Sequence, residues 1–268
     1  ASFVFSDLLR DVAPFISFGK LRASWGEIPK TIDPYLTGFN YSISQNQWNG
    51  NFLMNTPNRL VDPNIKGSVT TQREIGLDMK FLKNRFGFSF TYWDGTVKEI
   101  PLDITTNGAS GFTTLLTNAG EIEKKGIEIL VNITPVRTKE VYWEITGTFA
   151  QLTKNQVVKL AGDLKRITNS SGSFAGSYAA YVVNEVGQKW GQLFGPGFKR
   201  INGIPQLTAA GLYVREPEVN FGSVLPDYTG GVQNAVGYKN FFLNFNIDFQ
   251  KGGKFFSLSD FWGDFSGL

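Results

Sequence analysis

The chain has 268 residues, a formal net charge of +3 and neither cysteine nor histidine. Disulfides, thiolate or imidazole metal sites and histidine-dependent nucleophiles are therefore excluded. The 26 basic and 23 acidic residues are scattered without a run of one sign, so nothing indicates nucleic acid as a partner. We predict no catalytic residue, no metal and no cofactor. No stretch of about 18 apolar residues predicts a membrane helix, and the first residues lack the pattern of a signal peptide.

Alternating apolar and polar residues predict β-strands along the whole chain. In the last of these, Phe241, Leu243, Phe245, Ile247 and Phe249 share one face, while Asn and other polar side chains share the other. Counting a partial strand at residues 3–5, about eight strands are predicted. The other seven stretches are 19–26, 70–82, 85–93, 124–134, 142–152, 228–238 and 241–249.

The connections between these strands alternate strictly in length. Short turns at 82–85, 135–140 and 239–240 separate long connections at 27–68, 99–117 and 155–227, with a further segment after 251. This alternation is typical of an antiparallel up-and-down transmembrane β-barrel, with short periplasmic turns and long extracellular loops. The apolar faces would then contact lipid, and the mid-strand carboxylates Glu74, Asp78, Glu128 and Glu144 would face a hydrated interior.

Aromatic residues near predicted strand ends are expected to form girdles at the membrane interfaces. These residues are Trp25, Tyr92, Trp93, Tyr142 and Trp143. Strand alternation alone would also suit a soluble antiparallel sheet. A soluble all-β carbohydrate-binding module and a small self-contained outer-membrane barrel, acting as a porin or adhesin, therefore remain alternatives.

Four stretches, in the same order and over nearly the whole chain, resemble the barrel of SusC/RagA-like TonB-dependent transporters of Bacteroidetes. "GKLRASWGEIPK" at 19–30 is similar to that family's KLRASYG strand, and "VDPNIKGSVTTQREIGLDMKF" at 61–81 to its NP-containing element, with Gly67 at a usually aromatic position. "TNAGEIEKKGIEILVNITPV" at 117–136 and "LPDYTGGVQNAVGYKNFFLNFNIDFQKGGKFFS" at 225–257 resemble two further strand motifs.

The resemblance implies a fold and a role. Residues 1–268 would form part of a larger, 22-stranded transmembrane barrel in the bacterial outer membrane, without a plug domain, TonB box or closing C-terminal strand. The complete protein would import glycan or peptide oligomers and would not be an enzyme. Its implied partners are a SusD-like surface lipoprotein, TonB-ExbB-ExbD acting through the missing N-terminal part, outer-membrane lipid and the rest of its own barrel.

The long connections contain the expected ligand and partner contacts. Trp48, Phe52, Trp190 and Phe194 are candidate substrate-binding residues, because their rings could stack on sugars or on apolar substrate groups. The same rings could instead fill the cores of their own loops, which is the interpretation that we favour. Residues 155–227 are the expected contact for the lipoprotein lid.

Overall fold

A continuous antiparallel sheet, here called the wall, contains eight strands that follow one another in chain order. The computed structural model describes residues 1–171 and 180–267. Numbered among all strands of the chain, those of the wall are β1 Ser2–Val4, β2 Ile16–Pro29, β6 Val69–Phe81, β7 Phe86–Thr105, β8 Thr114–Arg137, β9 Val141–Leu160, β16 Pro226–Tyr238 and β17 Phe241–Gly252. All eight predicted strands are confirmed, and each neighbouring pair is antiparallel.

The strand register separates the wall into an apolar face and a polar face. One row of paired residues on the apolar face runs across Leu21, Leu77, Phe90, Ile129 and Phe149. The adjacent row, one residue away along each strand, lies on the polar face, because successive side chains point to opposite sides. Counting along each strand from the paired apolar residues places the four predicted carboxylates on this polar face, as expected. They are Glu74, Asp78, Glu128 and Glu144.

The apolar face has the height of a hydrocarbon layer. On β8 the apolar positions run from Val136 to Ile127 and stop at Lys125, which is about the 9–11 residues that a tilted strand needs to cross a bilayer. Lys125 is paired in register with Asp94, and Asp94 is paired with Arg73. This charged row marks the upper limit of the apolar face.

The two ends of the wall differ, but the predicted alternation of short and long connections is only partly correct. At one end, β6 and β7 are joined through Leu82, Lys83 and Asn84, all in the left-handed region, and β16 and β17 are joined through Lys239 with φ 52°. At the other end, the connection predicted at 99–117 is mostly wrong, because β7 and β8 stay paired as far as Thr105 and Thr114. The alternation breaks there because of register shifts around Glu99, whose φ is 56°.

The remaining long connections also contain secondary structure that was not predicted. Residues 30–68 include β3 Ser42–Trp48, β4 Asn51–Asn55 and β5 Arg59–Val61, and β5 pairs in parallel with β8. Residues 161–225 contain a second antiparallel sheet of β10 Arg166–Ser171, β11 Tyr181–Glu185, β12 Gln192–Phe198 and β15 Arg215–Ser223, with a small hairpin of β13 Arg200–Ile201 and β14 Ile204–Pro205. The last described element is helix α1, Leu258–Ser266.

The buried core lies above the apolar face, between the extended wall and the second sheet. Ala119, Val157, Leu160 and Ile167 form its centre. On the apolar face of the wall many side chains are exposed, including Leu21, Ile75 and every apolar residue that β17 contributes to this face, as expected for a surface that has lipid as its solvent. No helix in the described ranges is long and apolar enough to cross a membrane.

The predicted aromatic girdle is partly wrong. Trp25, Tyr92 and Trp143 lie on the apolar face, and the Trp143 indole N–H donates to Asn234 Oδ1 at 3.2 Å. Trp93 and Tyr142 lie on the opposite, polar face. Their rings cover glycines of the neighbouring strand, so a Cβ added at Gly126 or Gly237 would lie 2.7 Å from Trp93 or 1.9 Å from Tyr142. Residues adjacent in a strand cannot both face lipid.

Candidate functional site

The polar face of the wall curves around a hollow of about 770 Å³. Polar side chains from six strands line it: Arg22, Ser89, Thr91, Glu128, Thr148, Thr229, Asp248 and Gln250. Both charge signs and several hydroxyls are present, so the surface suits water and polar groups rather than a dry core. This side of the sheet is therefore the interior of the barrel to which the wall belongs.

Asp78 is the centre of the strongest polar network on this face. Its carboxylate is 3.2 Å from Lys20 Nζ and 3.0 Å from Arg22 Nε, and it accepts a hydrogen bond from Ser89 Oγ at 2.7 Å. Arg22 also donates to Thr91 Oγ1 at 3.1 Å. The network ties β2, β6 and β7 together and fixes the directions of the charges that face the hollow.

The hairpin of β3 and β4 carries two of the predicted substrate residues. Asn49 and Gly50 form its turn, with φ values of 49° and 77°, as expected for the Asn-Gly pair of a two-residue hairpin. Trp48 pairs with Asn51 and Gln47 pairs with Phe52, so the two rings point to opposite sides of the hairpin. Trp48 is 75% exposed and Phe52 67% exposed. The prediction that these rings fill a loop core is wrong for both residues.

The segment around this hairpin is free of charge. Residues 34–58 contain no Asp, Glu, Lys or Arg, although such residues make up 18% of the chain. Asparagine and glutamine alternate there with aromatic and aliphatic residues. The segment therefore offers amide hydrogen-bonding groups and ring faces without an electrostatic preference.

The base of the hairpin segment is anchored to the neighbouring loop. The carbonyl oxygen of Asn58 accepts hydrogen bonds from the backbone N–H groups of Thr113 at 2.9 Å and Thr114 at 3.3 Å. Phe39 packs edge-to-face on Phe112, with ring centroids 6.0 Å apart. The tip with Trp48 therefore projects from a fixed base.

Trp190 and Phe194 lie in a different place, in and beside the second sheet. Trp190 is partly buried against the core of Val157, Leu160 and their neighbours, and its backbone N–H donates to the carbonyl of Asn155 at 3.1 Å. For Trp190 the geometry agrees with a core-filling role. The structure does not bring Trp190 or Phe194 into one cluster with Trp48 and Phe52.

Phe194 is half-buried on β12, and its ring has two close neighbours. Tyr181 stacks with it at a centroid distance of 6.3 Å, and the Arg166 guanidinium carbon lies 4.7 Å from its ring centroid. Arg166 is also ion-paired with Glu218. The ring of Phe194 is therefore already in contact with protein groups.

A clamp on the segment 62–67 was missed by the sequence analysis. Asn118 Nδ2 donates to the carbonyl oxygens of Lys66 at 2.8 Å and Glu99 at 2.7 Å, while Asn118 Oδ1 accepts from the Lys66 N–H at 2.8 Å. Asp62 accepts from the Asn64 N–H at 2.9 Å and from Thr117 Oγ1 at 2.8 Å. The Asn64 N–H first and Thr117 second hold the pKa of Asp62 below its usual value.

The clamp explains why two separate sequence motifs occur together. "DPNIKG" and "TNAG" are distant in the chain but lie against each other in the fold. The close approach of the Lys30 backbone explains the glycine at 67, since a Cβ there would lie 1.8 Å from the backbone carbonyl oxygen of Lys30.

Comparison with known proteins identifies the family. A family model described as TonB dependent receptor-like, beta-barrel, matches residues 4–266. The chain belongs to this family. TonB-dependent receptor P3 of Formosa agariphila is 27% identical over 267 residues, covering 89% of this chain and 26% of the relative. TonB-dependent receptor SusC of Bacteroides thetaiotaomicron is 25% identical over 270 residues, covering 90% of this chain and 26% of SusC.

Solved structures of the same fold include the RagAB peptide transporter. The chain superposes on it with a TM-score of 0.71 at 17% sequence identity, covering 92% of this chain and 28% of that one. The chain thus spans about a quarter of the length of the relatives that it matches. The SusC/RagA-like resemblance and the antiparallel barrel fold are confirmed, and the wall is an outer-membrane β-barrel wall.

Proposed function

We propose that the complete protein imports glycan or peptide oligomers across the outer membrane as a SusC-type TonB-dependent transporter. Residues 1–268 would supply about eight strands of its 22-stranded barrel, together with extracellular loops. The observation that carries this proposal is the two-sided wall. One face is apolar over the height of a bilayer, and the other lines a polar hollow.

We further infer that the transporter works with the partners that this family architecture requires. A SusD-like lipoprotein would cover the extracellular mouth, and TonB-ExbB-ExbD would act through parts of the protein outside this chain. SusC and the RagAB transporter, among the similar proteins, support this inference. Within this proposal the segment performs no chemical reaction and binds no nucleic acid.

Trp48 and Phe52 are the proposed substrate contacts of this segment. Their exposure and the uncharged residues around them support contact with a neutral oligomer, through ring stacking and amide hydrogen bonds. Phe194 and Trp190 are weaker candidates, because their rings already have protein neighbours.

Residues 155–227 are the proposed contact with the lipoprotein lid. Residues 172–179 of this segment lie outside the described residues. In the described part, the hairpin of β13 and β14 exposes Ile201 (53%) and Ile204 (67%) at its tip, and Leu212 in the following turn is 68% exposed. A projecting apolar tip of this kind supports a protein interface.

Co-purification of the lipoprotein with the full-length transporter tests this assignment. Serine at Ile201, Ile204 and Leu212 is expected to weaken co-purification, because it removes the apolar contact and leaves the second sheet intact. Serine at Leu8 and Val12, which are 73% and 82% exposed near the short-turn end, is the matched control. Undiminished co-purification of the hairpin variant would refute the contact, and loss of the lipoprotein from the control as well would show a general folding defect.

A further inference from the structure

The short turns of the wall are strongly basic. The three turns that join β6 to β7, β8 to β9 and β16 to β17 carry five basic residues against one acidic residue, Glu140. The basic residues are Lys83, Arg85, Arg137, Lys139 and Lys239, and all five are exposed. With five basic residues and one acidic residue the three turns have a net charge of +4, whereas the connection from β1 to β2 at the same end carries Asp7, Arg10 and Asp11. The chain as a whole has a net charge of +3.

The three turns form a line along one edge of the wall, here called the basic rim. Their strands are consecutive in the order β6, β7, β8, β9, β16, β17. Neighbouring turns are therefore two strand spacings apart, or about 10 Å. A line of cations at this spacing follows the plane of the membrane surface.

The basic rim is almost without ion pairs. In residues 1–171 and 180–267, its one ion pair joins Lys239 and Glu140 at 3.9 Å. At the long-loop end several cations have carboxylate partners, including Arg59 with Asp103 at 2.7 Å and Lys189 with Asp227 at 3.5 Å. The charge of the rim is available to an external anion.

Aromatic side chains of the apolar face lie directly beside the rim. Phe81 packs between Phe15 and Phe86, with ring centroids 6.4 and 5.8 Å away. Lys239 Nζ lies 5.3 Å from the ring centroid of Tyr238. The rim therefore lies at the boundary between the lipid-facing surface and water. At this boundary long basic side chains can reach lipid headgroups.

We propose that the basic rim binds the headgroups of anionic phospholipids in the leaflet on the short-turn side of the membrane. Phosphate supplies the complementary charge, and the adjoining aromatic residues contact the acyl chains of the same lipids. Each basic residue close to an anionic membrane surface strengthens attachment by about fivefold. The proposal depends on the orientation of the wall in the membrane and is independent of the transported substrate and of the lid.

Lipid binding to the full-length protein in detergent tests the proposal. Native mass spectrometry would compare retention of phosphatidylglycerol with that of phosphatidylcholine. The test variant carries glutamine at all five rim positions. The control variant carries glutamine at five exposed lysines elsewhere, namely Lys30, Lys159, Lys165, Lys199 and Lys254.

The wild type and the control are expected to prefer phosphatidylglycerol, with a preference that weakens in high salt. The rim variant is expected to bind phosphatidylglycerol at least tenfold more weakly while binding phosphatidylcholine unchanged. An unchanged preference in the rim variant, or equal loss in the control, would overturn the proposal. The proposal would also be overturned if the rim variant kept its bound lipids but lost binding to peptidoglycan fragments. If the five-residue variant fails to assemble, K83Q/R85Q replaces it, with at least a fivefold loss expected.

Discussion

Asn118→Ala is expected to release residues 62–67 from β8 without unfolding the wall. The substitution removes the three hydrogen bonds that the half-buried Asn118 side chain makes with Lys66 and Glu99. At about 1 kcal/mol net for each bond, local opening should become easier by about 2–3 kcal/mol. This corresponds to roughly 30- to 150-fold faster exchange of the protected amides.

Hydrogen exchange of the full-length protein, followed by mass spectrometry of peptides covering 62–67, measures this effect. Asn118→Asp is the matched control, because it keeps an acceptor for the Lys66 N–H but loses both donated bonds. Exchange at Lys66 should therefore be slower in the aspartate variant than in the alanine variant, and amides in the middle of β8 should stay protected in both. Less than threefold acceleration in the alanine variant, or identical exchange in the two variants, would refute the clamp.

Two further predictions concern the same end of the wall. The lowered pKa of Asp62 means that its hydrogen bonds stabilise the fold above the unfolded-state pKa of about 3.9 and cease to do so as the pH falls through the folded value. The thermal stability of the wild type should therefore decrease more between pH 6 and pH 3 than that of Asp62→Asn; parallel curves would contradict this. In the full-length protein, alanine at both Trp48 and Phe52 should weaken binding of the proposed oligomeric substrate about tenfold, since each exposed ring contributes on the order of 0.5–1.5 kcal/mol. Alanine at Phe255, which is 86% exposed outside the hairpin, should have no effect, and equal affinities for all three proteins in calorimetry would remove the two rings from the substrate site.

Prediction of strands from sequence succeeded where one physical constraint acts along a whole strand. In β17 and β8, lipid on one side and water on the other impose a period of two, and that period is visible without coordinates. It failed where the surroundings change within a strand. Beyond Lys125 the wall has water and protein as neighbours, so the alternation fades and the upper parts of β7 and β8 could not be distinguished from a loop.

The sequences of the long connections differ in how strongly they indicate secondary structure. Asn49-Gly50 is a strong local indication of a hairpin, and it was available for β3 and β4. The short strands of the second sheet have no such marker at most of their turns, and their pairing depends on contacts between distant residues. The Asn118 clamp could not be predicted, because its partners are backbone groups of a segment 52 residues away.

The paired backbone of β7 and β8 continues beyond the charged row to Thr105 and Thr114. At about 3.3 Å per residue, the stretch from Asp94 to Thr105 adds roughly 36 Å of sheet, measured along the strand. On this side, the extracellular mouth is therefore bordered by a rigid, hydrogen-bonded extension of the sheet. A molecule that approaches from outside meets shaped, hydrogen-bonded walls well before it reaches the plane of the lipid. An antibody raised against a linear peptide from 96–105 or from 114–123 would find its epitope locked in a sheet on intact cells.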